Sequence, residues 1–388
     1  MMKEGKRMIK YLIKVIIRNF LKIFWIFPVN QKKIYFQSFT GLKIACNPLA
    51  IFNYLYEKHP EYKYVWLVIN EPKEKKDNVL YVKRKTVRWI YEILTSKVLI
   101  TNDVFFSHLP YRKKTIMIET WHGGGAYKRV GTMLESEKHD VNGCKSMRYM
   151  EKHMNYFISS SKKFSEIMSE SRLVPMQKFL PIGMPRNDVL FDMAKTGLIS
   201  KMVRTQLDLK DEDFVALYAP TFRGKSSKSH FDNFLDVRLL KESLEKKTGK
   251  TVKLLFRGHY LLRNLPGFSD FDRDVSGWQD MQELLCASDM LVTDYSSCMW
   301  DFSLLKRPCF LFVPDFDMYL NERGFYTEPA SWGFPICKTN DELKEKIDTF
   351  DKERYVSAIQ KHHENLGSYE NGTATEQIAK IILNAIEK

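Results

Sequence analysis

The chain has 388 residues, of which 44% are hydrophobic and 28% charged, with only 14 Pro and 18 Gly. This composition excludes a disordered or fibrous protein, and at about 100 to 200 residues per domain the length predicts two domains, each with its own core. Lysine and arginine number 61 against 47 acidic residues, and the net charge of +14 favours anionic partners. The six cysteines are scattered without a CxxC pair, which indicates buried thiols in a reducing cytoplasm rather than zinc ligands or disulfides.

The first 28 residues combine cations with large apolar side chains. The cations recur every three or four residues, which predicts a helix with one positively charged side. They are Arg7, Lys10, Lys14, Arg18 and Lys22. No stretch reaches about 18 uncharged apolar residues, and the cations interrupt any signal-peptide core, so the pattern favours a helix lying on an anionic membrane surface. The alternative is an ordinary amphipathic helix packed on the domain.

From residue 29 onward, short β-branched and aromatic runs alternate with longer amphipathic segments, and this alternation occurs twice. The predicted strands are 33–38, 63–69, 98–102, 115–119 and 156–159, then 214–218, 251–257, 290–293 and 309–313. The predicted helices are 48–58, 86–95 and 162–169, then 239–248, 281–287 and 297–305. Pro and Gly in 181–188 place the domain junction near 185–212. We therefore predict two Rossmann-like sheets whose strand ends surround one crevice.

A glycine-rich loop follows the predicted strand 115–119. It contains His122, then Gly123, Gly124 and Gly125, then Lys128. Consecutive glycines let a backbone approach a ligand closely, and a histidine with an ordinary pKa of about 6.5 is suited to be a general base. The alternative is a structural glycine turn with an incidental histidine and lysine.

Two further loops of the second domain carry cations. Arg257 and His259 leave the predicted strand 251–257, where a guanidinium and an imidazole can hold a phosphate. Arg223 ends the run YAPTFR at 218–223 and is a weaker candidate of the same kind. A solvent-exposed side chain is the alternative for His259 and for Arg223.

The stretch 288–302 is the most informative, because an apolar strand ends there in small polar residues and a helix follows. Thr293, Ser296 and Ser297 are positioned to bind a diphosphate, or the serines merely cap the helix. Asp301, one turn into the helix, either accepts a hydrogen bond from a ribose or glycerol hydroxyl or faces solvent.

Missing motifs narrow the function. The sequence has no GxxxxGK[ST], HExxH or GxSxG, which disfavours P-loop kinase, zinc protease and α/β-hydrolase chemistry. It also has no basic-aromatic platform of the kind that binds nucleic acid.

In this order, the motifs resemble the CDP-glycerol glycerophosphotransferase family of teichoic-acid and capsule enzymes over about residues 33–382. The blocks that carry the resemblance are Asn47-Pro48, WHG at 121–123 with Lys128 and Gly131, GMPRND at 183–188, YAPTFR at 218–223, LVTDYSS at 291–297, RGFY at 323–326 and NGTATE at 371–376. The chain departs from the family pattern at Gly124-Gly125 and at Tyr260, where many members have Thr-Pro and Pro.

The resemblance implies an α/β fold of the GT-B type. With the pattern along the chain, we predict a membrane-surface helix at 1–28, a Rossmann-like acceptor-side domain at 29–195 and a Rossmann-like donor-binding domain at 196–388 that faces it across a central cleft. It implies transfer of glycerol phosphate from CDP-glycerol to a lipid-linked wall or capsule acceptor, at the cytoplasmic face of the membrane, with release of CMP and with neither cofactor nor metal. By the same resemblance His122 is the base, His259 stabilises the phosphoryl group, and Thr293, Ser296 and Ser297 bind the donor. A ribitol-phosphate transferase that uses CDP-ribitol and a GT-B enzyme that uses a nucleotide sugar are the alternatives.

Overall fold

The computed structural model describes residues 2–125, 127–134, 140–221, 234–258 and 270–387, with side chains from residue 7 onward. By compactness the chain divides into two units. The first consists of Met1–His122, Val130–Asp188 and Tyr369–Lys388, and the second of Gly123–Arg129 and Val189–Ser368. The predicted domains 29–195 and 196–388 are each continuous in sequence. The compact units are not, because Gly123–Arg129 belongs to the second unit and Tyr369–Lys388 belongs to the first.

The sheet of the first unit has seven parallel strands within the described residues, in the order β3-β2-β1-β4-β5-β6-β7. The strands are β1 Asn30–Gln37, β2 Lys63–Val68, β3 Val79–Lys83, β4 Ser96–Thr101, β5 Ile116–Glu119, β6 Tyr156–Ser159 and β7 Phe179–Pro181. Ile34 of β1 lies opposite Tyr64 of β2 and Val98 of β4. The strand order changes direction between β1 and β4, and ligands of such sheets bind at the carboxyl ends of the strands beside this switch point.

The sheet of the second unit repeats the arrangement with six parallel strands among the described residues, in the order β10-β9-β8-β11-β12-β13. The strands are β8 Phe214–Ala219, β9 Val252–Phe256, β10 Arg273–Asp274, β11 Met290–Thr293, β12 Cys309–Phe312 and β13 Ile336–Cys337. Its switch point lies between β8 and β11. The α/β class with two Rossmann-like sheets is thereby confirmed.

Helices accompany the strands of both sheets. The α-helices are α1 Met2–Phe20, α2 Cys46–Lys58, α3 Val87–Leu94, α4 Val141–His153, α5 Lys162–Arg172, α6 Met193–Gln206, α7 Val237–Thr248, α8 Met281–Ala287, α9 Cys298–Ser303, α10 Phe316–Glu322, α11 Asn340–Asp348, α12 Lys352–Leu366 and α13 Ala374–Glu387. The 3-10 turns are Leu21–Ile26, Phe39–Gly41, Gly131–Met133, Met176–Lys178, Pro185–Phe191 and Pro329–Trp332. Among the described helices, none is both long enough and apolar enough to cross a membrane.

Both faces of each sheet are buried. Successive residues of a strand point to opposite faces, so neighbouring side chains belong to different buried clusters. In β1, Ile34 and Phe36 belong to one cluster of buried side chains, while Tyr35 belongs to another. In β8, Val215 and Ala216 are divided between two clusters in the same way. Since the faces are covered, polar functional groups of each sheet are left to the strand ends and the loops that follow them.

The N-terminal helix and the 3-10 turn that follows it contact the rest of the first unit on one side. The Arg18 guanidinium lies 3.7 Å from the centre of the Tyr149 ring, and Trp25 Nε1 donates to the carbonyl oxygen of Pro110 over 2.9 Å. Leu21, the first residue of the 3-10 turn, is buried. These contacts fix one side of the helix against the domain, as the packed alternative expected.

The opposite side of this helix carries exposed apolar side chains. The exposed apolar stripe consists of Met8, Ile9, Leu12, Ile13, Ile16, Ile17, Phe20, Ile23 and Ile26. Ile16 is 67% and Phe20 73% exposed, and Lys10, Lys14 and Lys22 are exposed beside them. Arg18 is turned inward onto Tyr149 and Arg7 lies 3.6 Å from Asp140, whereas Lys10, Lys14 and Lys22 are exposed.

Candidate functional site

His122 stands at the end of the extension of β5, three residues beyond Glu119. The imidazole is exposed, and its Nδ1 lies 2.7 Å from the carbonyl oxygen of Asn102. A carbonyl oxygen only accepts hydrogen bonds, so Nδ1 carries the proton. In the neutral ring this leaves the lone pair on Nε2, which makes Nε2 the basic atom. Asn102 directly follows β4, so the histidine is oriented by the neighbouring strand end.

Trp121, the residue before His122, is held by contacts of its ring and of its backbone. The Trp121 indole stacks on the imidazole with ring centres 4.7 Å apart. The Trp121 N–H donates to Oε1 of Glu119 over 3.0 Å, and its carbonyl oxygen accepts from Nδ2 of Asn47 over 2.9 Å. Glu119 and Asn47 are buried, and burial raises the pKa of the Glu119 carboxyl well above its ordinary value, against the opposing effect of the Arg172 charge.

Asn47 also connects the WHG block with the GMPRND block. Its Oδ1 accepts from the backbone N–H of Arg186 over 3.1 Å. Asp188, at the end of that block, accepts from the backbone N–H groups of Ala374 and Thr375 at 3.1 and 2.7 Å, and so caps α13. The early, middle and late blocks that carry the family resemblance therefore belong to one hydrogen-bonded network in the first unit.

The glycines after His122 belong to the second unit. Gly123, Gly124 and Gly125 are buried, and a Cβ on Gly124 would lie 2.6 Å from Nε1 of Trp300. Gly125 has a φ of +65°, which favours glycine. The two observations give a physical reason for glycine at positions 124 and 125, where the chain departs from the family pattern.

Past the glycines, the chain pairs with the RGFY block. Lys128 and Phe325 form an antiparallel β-bridge, and the N–H of Tyr326 donates to the Tyr127 carbonyl over 2.7 Å. The Tyr127 hydroxyl is 3.0 Å from Nε2 of His362. The backbone of Lys128 is thus fixed by pairing within the second unit.

Two polar side chains at the end of β11 form hydrogen bonds with the end of β8 and the residues that follow it. The Thr293 hydroxyl is buried and donates to the carbonyl oxygen of Ala219 over 2.7 Å, which ties β11 to β8 at the switch point. The next residue, Asp294, accepts from the N–H of Thr221 at 3.0 Å and from its hydroxyl at 2.9 Å. Thr293 and Asp294 therefore fix the strand ends.

Ser296 and Ser297 are half-buried at the start of α9. The Ser296 hydroxyl accepts from the N–H of Cys298 over 3.4 Å, while the Ser297 side chain makes no capping hydrogen bond. Asp301 is 2% exposed and accepts from Nε2 of Gln282 over 3.0 Å. The serines are therefore more accessible than Asp301, whose carboxylate is engaged within the unit.

Arg257 follows β9 and has an incompletely satisfied guanidinium. Its Nη2 donates to the Trp278 carbonyl over 3.4 Å, whereas its Nη1 is buried and has no hydrogen-bond partner among the described residues. Burial lowers the pKa of the guanidinium, and the charges of Asp280 and Glu283 oppose that effect. A buried N–H without a partner is costly, and an anion such as phosphate would satisfy it. His259 and Arg223 lie outside the described residues.

The structure thus brings His122 together with Asn47, Asn102 and Glu119 in the first unit. In the second unit Thr293, Ser296, Ser297 and Asp301 share one strand end and helix. Asn102, Glu119 and Asp294 were not singled out from the sequence. Their common signal is a polar residue at the last position of an apolar strand or within two residues after it.

Comparisons with known proteins identify the family. Residues 19–384 match the model of the family described as CDP-Glycerol:Poly(glycerophosphate) glycerophosphotransferase. The chain is 31% identical to a teichoic acid poly(glycerol phosphate) polymerase of Bacillus spizizenii, over 98% of this chain and 100% of that protein. It is 29% identical to a teichoic acid glycerol-phosphate transferase of Staphylococcus aureus, over 97% and 99% respectively.

The polymerase of Bacillus subtilis is 30% identical over 98% of this chain but only 53% of its own length, so the chain spans about half of that relative. Among solved structures, the wall teichoic acid polymerase TagF matches with a TM-score of 0.82 and 26% identity, over 100% of this chain and 98% of that one. A histidine-to-asparagine variant of TagF soaked with CDPG matches with a TM-score of 0.81. The chain therefore belongs to the CDP-glycerol:poly(glycerophosphate) glycerophosphotransferase family.

Proposed function

We propose that this chain transfers glycerol phosphate from CDP-glycerol to a hydroxyl group of a lipid-linked teichoic-acid or capsule acceptor and releases CMP. The observation that carries the proposal is the hydrogen bond from His122 Nδ1 to the Asn102 carbonyl. This bond leaves Nε2 of an exposed imidazole unprotonated in the neutral ring, as a general base requires. Family membership supports the donor, and the relatives named for poly(glycerol phosphate) and glycerol-phosphate transfer support the polyol.

The reaction assigned to these residues is a substitution at phosphorus. The acceptor hydroxyl gives its proton to His122 Nε2 while its oxygen attacks the phosphorus that carries glycerol. The bond from that phosphorus to the bridging oxygen breaks, and CMP leaves as a phosphate anion, so an acid for the leaving group is not required. Negative charge on the phosphoryl oxygens must instead be stabilised.

The donor side of the proposal rests on the second unit. Arg257 offers a buried N–H without a described partner, and Ser296 and Ser297 offer accessible hydroxyls beside α9. We assign these three residues to the diphosphate. Thr293 contributes through the strand end that it fixes, because its proton is donated to Ala219.

The remaining assignments rest on other evidence. His259 and Arg223 keep, from sequence alone, the donor-side roles that the resemblance implies. Asp301 is assigned to the same region with its carboxylate held by Gln282. Gly123, Gly124, Gly125 and Lys128 are assigned to the loop that follows the base.

Attachment to the membrane surface is the second part of the proposal. The exposed apolar stripe of α1 lies beside the exposed cations Lys10, Lys14 and Lys22. A helix of this kind binds an anionic leaflet by inserting its apolar side chains while its cations contact lipid headgroups. The acceptor is lipid-linked in this proposal, so the same surface would bring the enzyme to its substrate.

A donor-exchange assay tests the catalytic part. Purified protein is incubated with CDP-glycerol, CDP-ribitol or UDP-sugars, each with a lipid-diphosphate disaccharide acceptor, and released nucleotide is measured. We expect CMP from CDP-glycerol, with glycerol phosphate recovered on the lipid acceptor. Release of CMP from CDP-ribitol alone would overturn the glycerol assignment, and release of UDP would overturn phosphotransfer from a CDP donor.

A further inference from the structure

Trp121, the residue before His122, has a backbone conformation that is rare for a bulky side chain. Its φ is +53°, in the left-handed region. Such a conformation persists where surrounding groups hold it, and it is often found beside functional residues. At Trp121 the holding groups are identifiable, because both polar backbone atoms bond to buried side chains.

Glu119 and Asn47 hold the two sides of this peptide. Glu119 Oε1 accepts from the Trp121 N–H at 3.0 Å, and Asn47 Nδ2 donates to the Trp121 carbonyl at 2.9 Å. The same Nδ2 donates to the carbonyl of Thr120 at 3.0 Å. Asn47 is fully buried and comes from the first turn of α2, so it reaches the loop from a rigid element.

The chemistry at this position requires an amide. Asn47 needs a donor toward the carbonyls of Thr120 and Trp121 and an acceptor toward the Arg186 N–H, 3.1 Å from Oδ1. An aspartate has the same shape and keeps the acceptor, but it presents an oxygen to two carbonyl oxygens. The donors are therefore the part of Asn47 that a single substitution can remove.

The backbone of Trp121 in turn determines where the imidazole lies. The His122 ring stacks on the Trp121 indole at 4.7 Å and directs Nδ1 to the Asn102 carbonyl at 2.7 Å. If the Trp121 φ relaxes to a negative value, the peptide that leads to His122 rotates. The bond to Asn102, which selects the tautomer with a basic Nε2, then weakens.

We propose that Asn47 and Glu119 are positioning residues for His122, which hold Trp121 in its left-handed conformation and so fix the tautomer and orientation of the base. This inference rests on the proposed role of His122. It assigns neither residue any contact with substrate.

The first test compares Asn47→Asp with the matched variant Asn155→Asp. Asn155 Oδ1 accepts from the N–H of Met117 at the start of the same strand, β5, and the substitution preserves that acceptor. With CDP-glycerol as donor, we expect Asn47→Asp to lower kcat about 10- to 100-fold, the order expected when a reacting group is misplaced by about 1 Å, and to change KM by less than about threefold. Asn155→Asp should retain the wild-type kcat.

The second test reads the histidine directly. In protein labelled with 15N-histidine, the signals of His122, assigned by their loss in His122→Ala, report which ring nitrogen carries the proton. We expect the Nδ1–H form in the wild type and a mixture of tautomers in Asn47→Asp. Glu119→Gln keeps an acceptor for Trp121 and should resemble the wild type, whereas Glu119→Leu should not, so this pair tests the inference even where Asn47→Asp folds poorly.

Three results separate the possibilities. A wild-type kcat in Asn47→Asp overturns the positioning role of Asn47 but leaves the catalytic proposal for His122 intact. A loss of kcat with an unchanged His122 tautomer also overturns the positioning role, since Asn47 would then be purely structural. A wild-type rate in His122→Ala overturns the catalytic proposal on which the inference rests.

Discussion

Gly124 packs against the indole of Trp300 so closely that a methyl group on its α-carbon would lie 2.6 Å from Nε1. We predict that Gly124→Ala lowers the free energy of unfolding by about 1 to 3 kcal/mol, the usual cost of overpacking a buried site, and reduces activity. Gly197→Ala is the matched control, because a Cβ there meets nothing within 4 Å and the residue lies in α6. Gly197→Ala should raise the free energy of unfolding, measured by urea denaturation, by up to about 1 kcal/mol. Equal stabilities of the two variants would contradict this packing.

Removal of the proposed base should lower the rate without preventing folding. His122 is exposed, so His122→Ala is expected to keep the melting temperature of the wild type within a few degrees. We predict a loss of turnover of about 10²- to 10⁴-fold, as is typical of a general base. Initial rates of CMP release at saturating CDP-glycerol provide the measurement. A variant that retains wild-type turnover would exclude His122 from this role.

Arg257 Nη1, which has no partner among the described residues, predicts opposite effects on stability and affinity. Arg257→Met removes a buried guanidinium whose Nη1 has no partner among the described residues, so the unliganded protein should be at least as stable as the wild type. The KM for CDP-glycerol should rise by about tenfold or more, because a charged hydrogen bond to the donor is lost. Thermal unfolding without ligand and steady-state kinetics measure the two effects.

Arg204 provides the control for Arg257. It is buried in the same unit, but its Nη2 lies 2.8 Å from Oδ2 of Asp289 and its Nη1 donates to the Asp213 carbonyl at 3.0 Å. Arg204→Met leaves the partly exposed Asp289 carboxylate without this partner, so it should destabilise the protein by about 1 to 3 kcal/mol while the KM stays unchanged. If both arginine variants lose stability and neither changes KM, Arg257 is structural.

Much of the fold was predictable because its signals are local. Short apolar runs predicted β1, β4, β5 and β11, and the motifs fell at the strand ends where the structure places them. The strands β3, β7, β10 and β13 were missed. β10 and β13 have two residues each and β7 has three, too few to carry a periodic pattern. The C-terminal helix α13 was not predicted, and the return of this segment to the first unit was missed as well, since a local pattern does not reveal which sheet a helix packs on.

The site was less predictable, because its decisive contacts join distant residues. Asn47 is separated from Trp121 by 74 positions, and Thr293 from Ala219 by 74. The sequence showed that Thr293 and Asp301 were polar residues at a strand end and a helix start. It did not show that the Thr293 proton and the Asp301 carboxylate are engaged inside the unit.

The exposed apolar stripe of α1 predicts binding to anionic vesicles. Ile16→Ser and Phe20→Ser together should weaken binding by at least about tenfold, because each buried apolar side chain contributes about 1.5 to 3 kcal/mol. Leu198→Ser is the control, since Leu198 is 72% exposed on α6 and belongs to the second unit rather than to the stripe. Flotation with vesicles of anionic and of neutral lipid measures both effects. Undiminished flotation of the double variant would contradict a role for the stripe.

The adjacent histidines of α12 predict a loss of stability in acid. Burial lowers the pKa of His362 to about 4, partly opposed by a hydrogen bond with the Ser331 backbone, and burial together with the charge of His362 lowers the pKa of His363 to about 4. The unfolded chain binds these protons near pH 6.5, so the stability is fully present above that pH and declines as the pH falls toward 4.

Because a tenfold change in proton affinity corresponds to about 1.4 kcal/mol, each histidine accounts for a decline of about 3 kcal/mol across this range. Urea denaturation at pH 7.0, 6.0, 5.0 and 4.5 measures the decline. His363→Gln removes one titrating ring and should reduce the decline by about half. Ser303→Ala keeps the half-buried imidazole of His363 and removes its hydroxyl partner, 2.7 Å from Nε2, so the decline should persist. A decline of the same size in His363→Gln and in the wild type would assign the acid sensitivity to other groups.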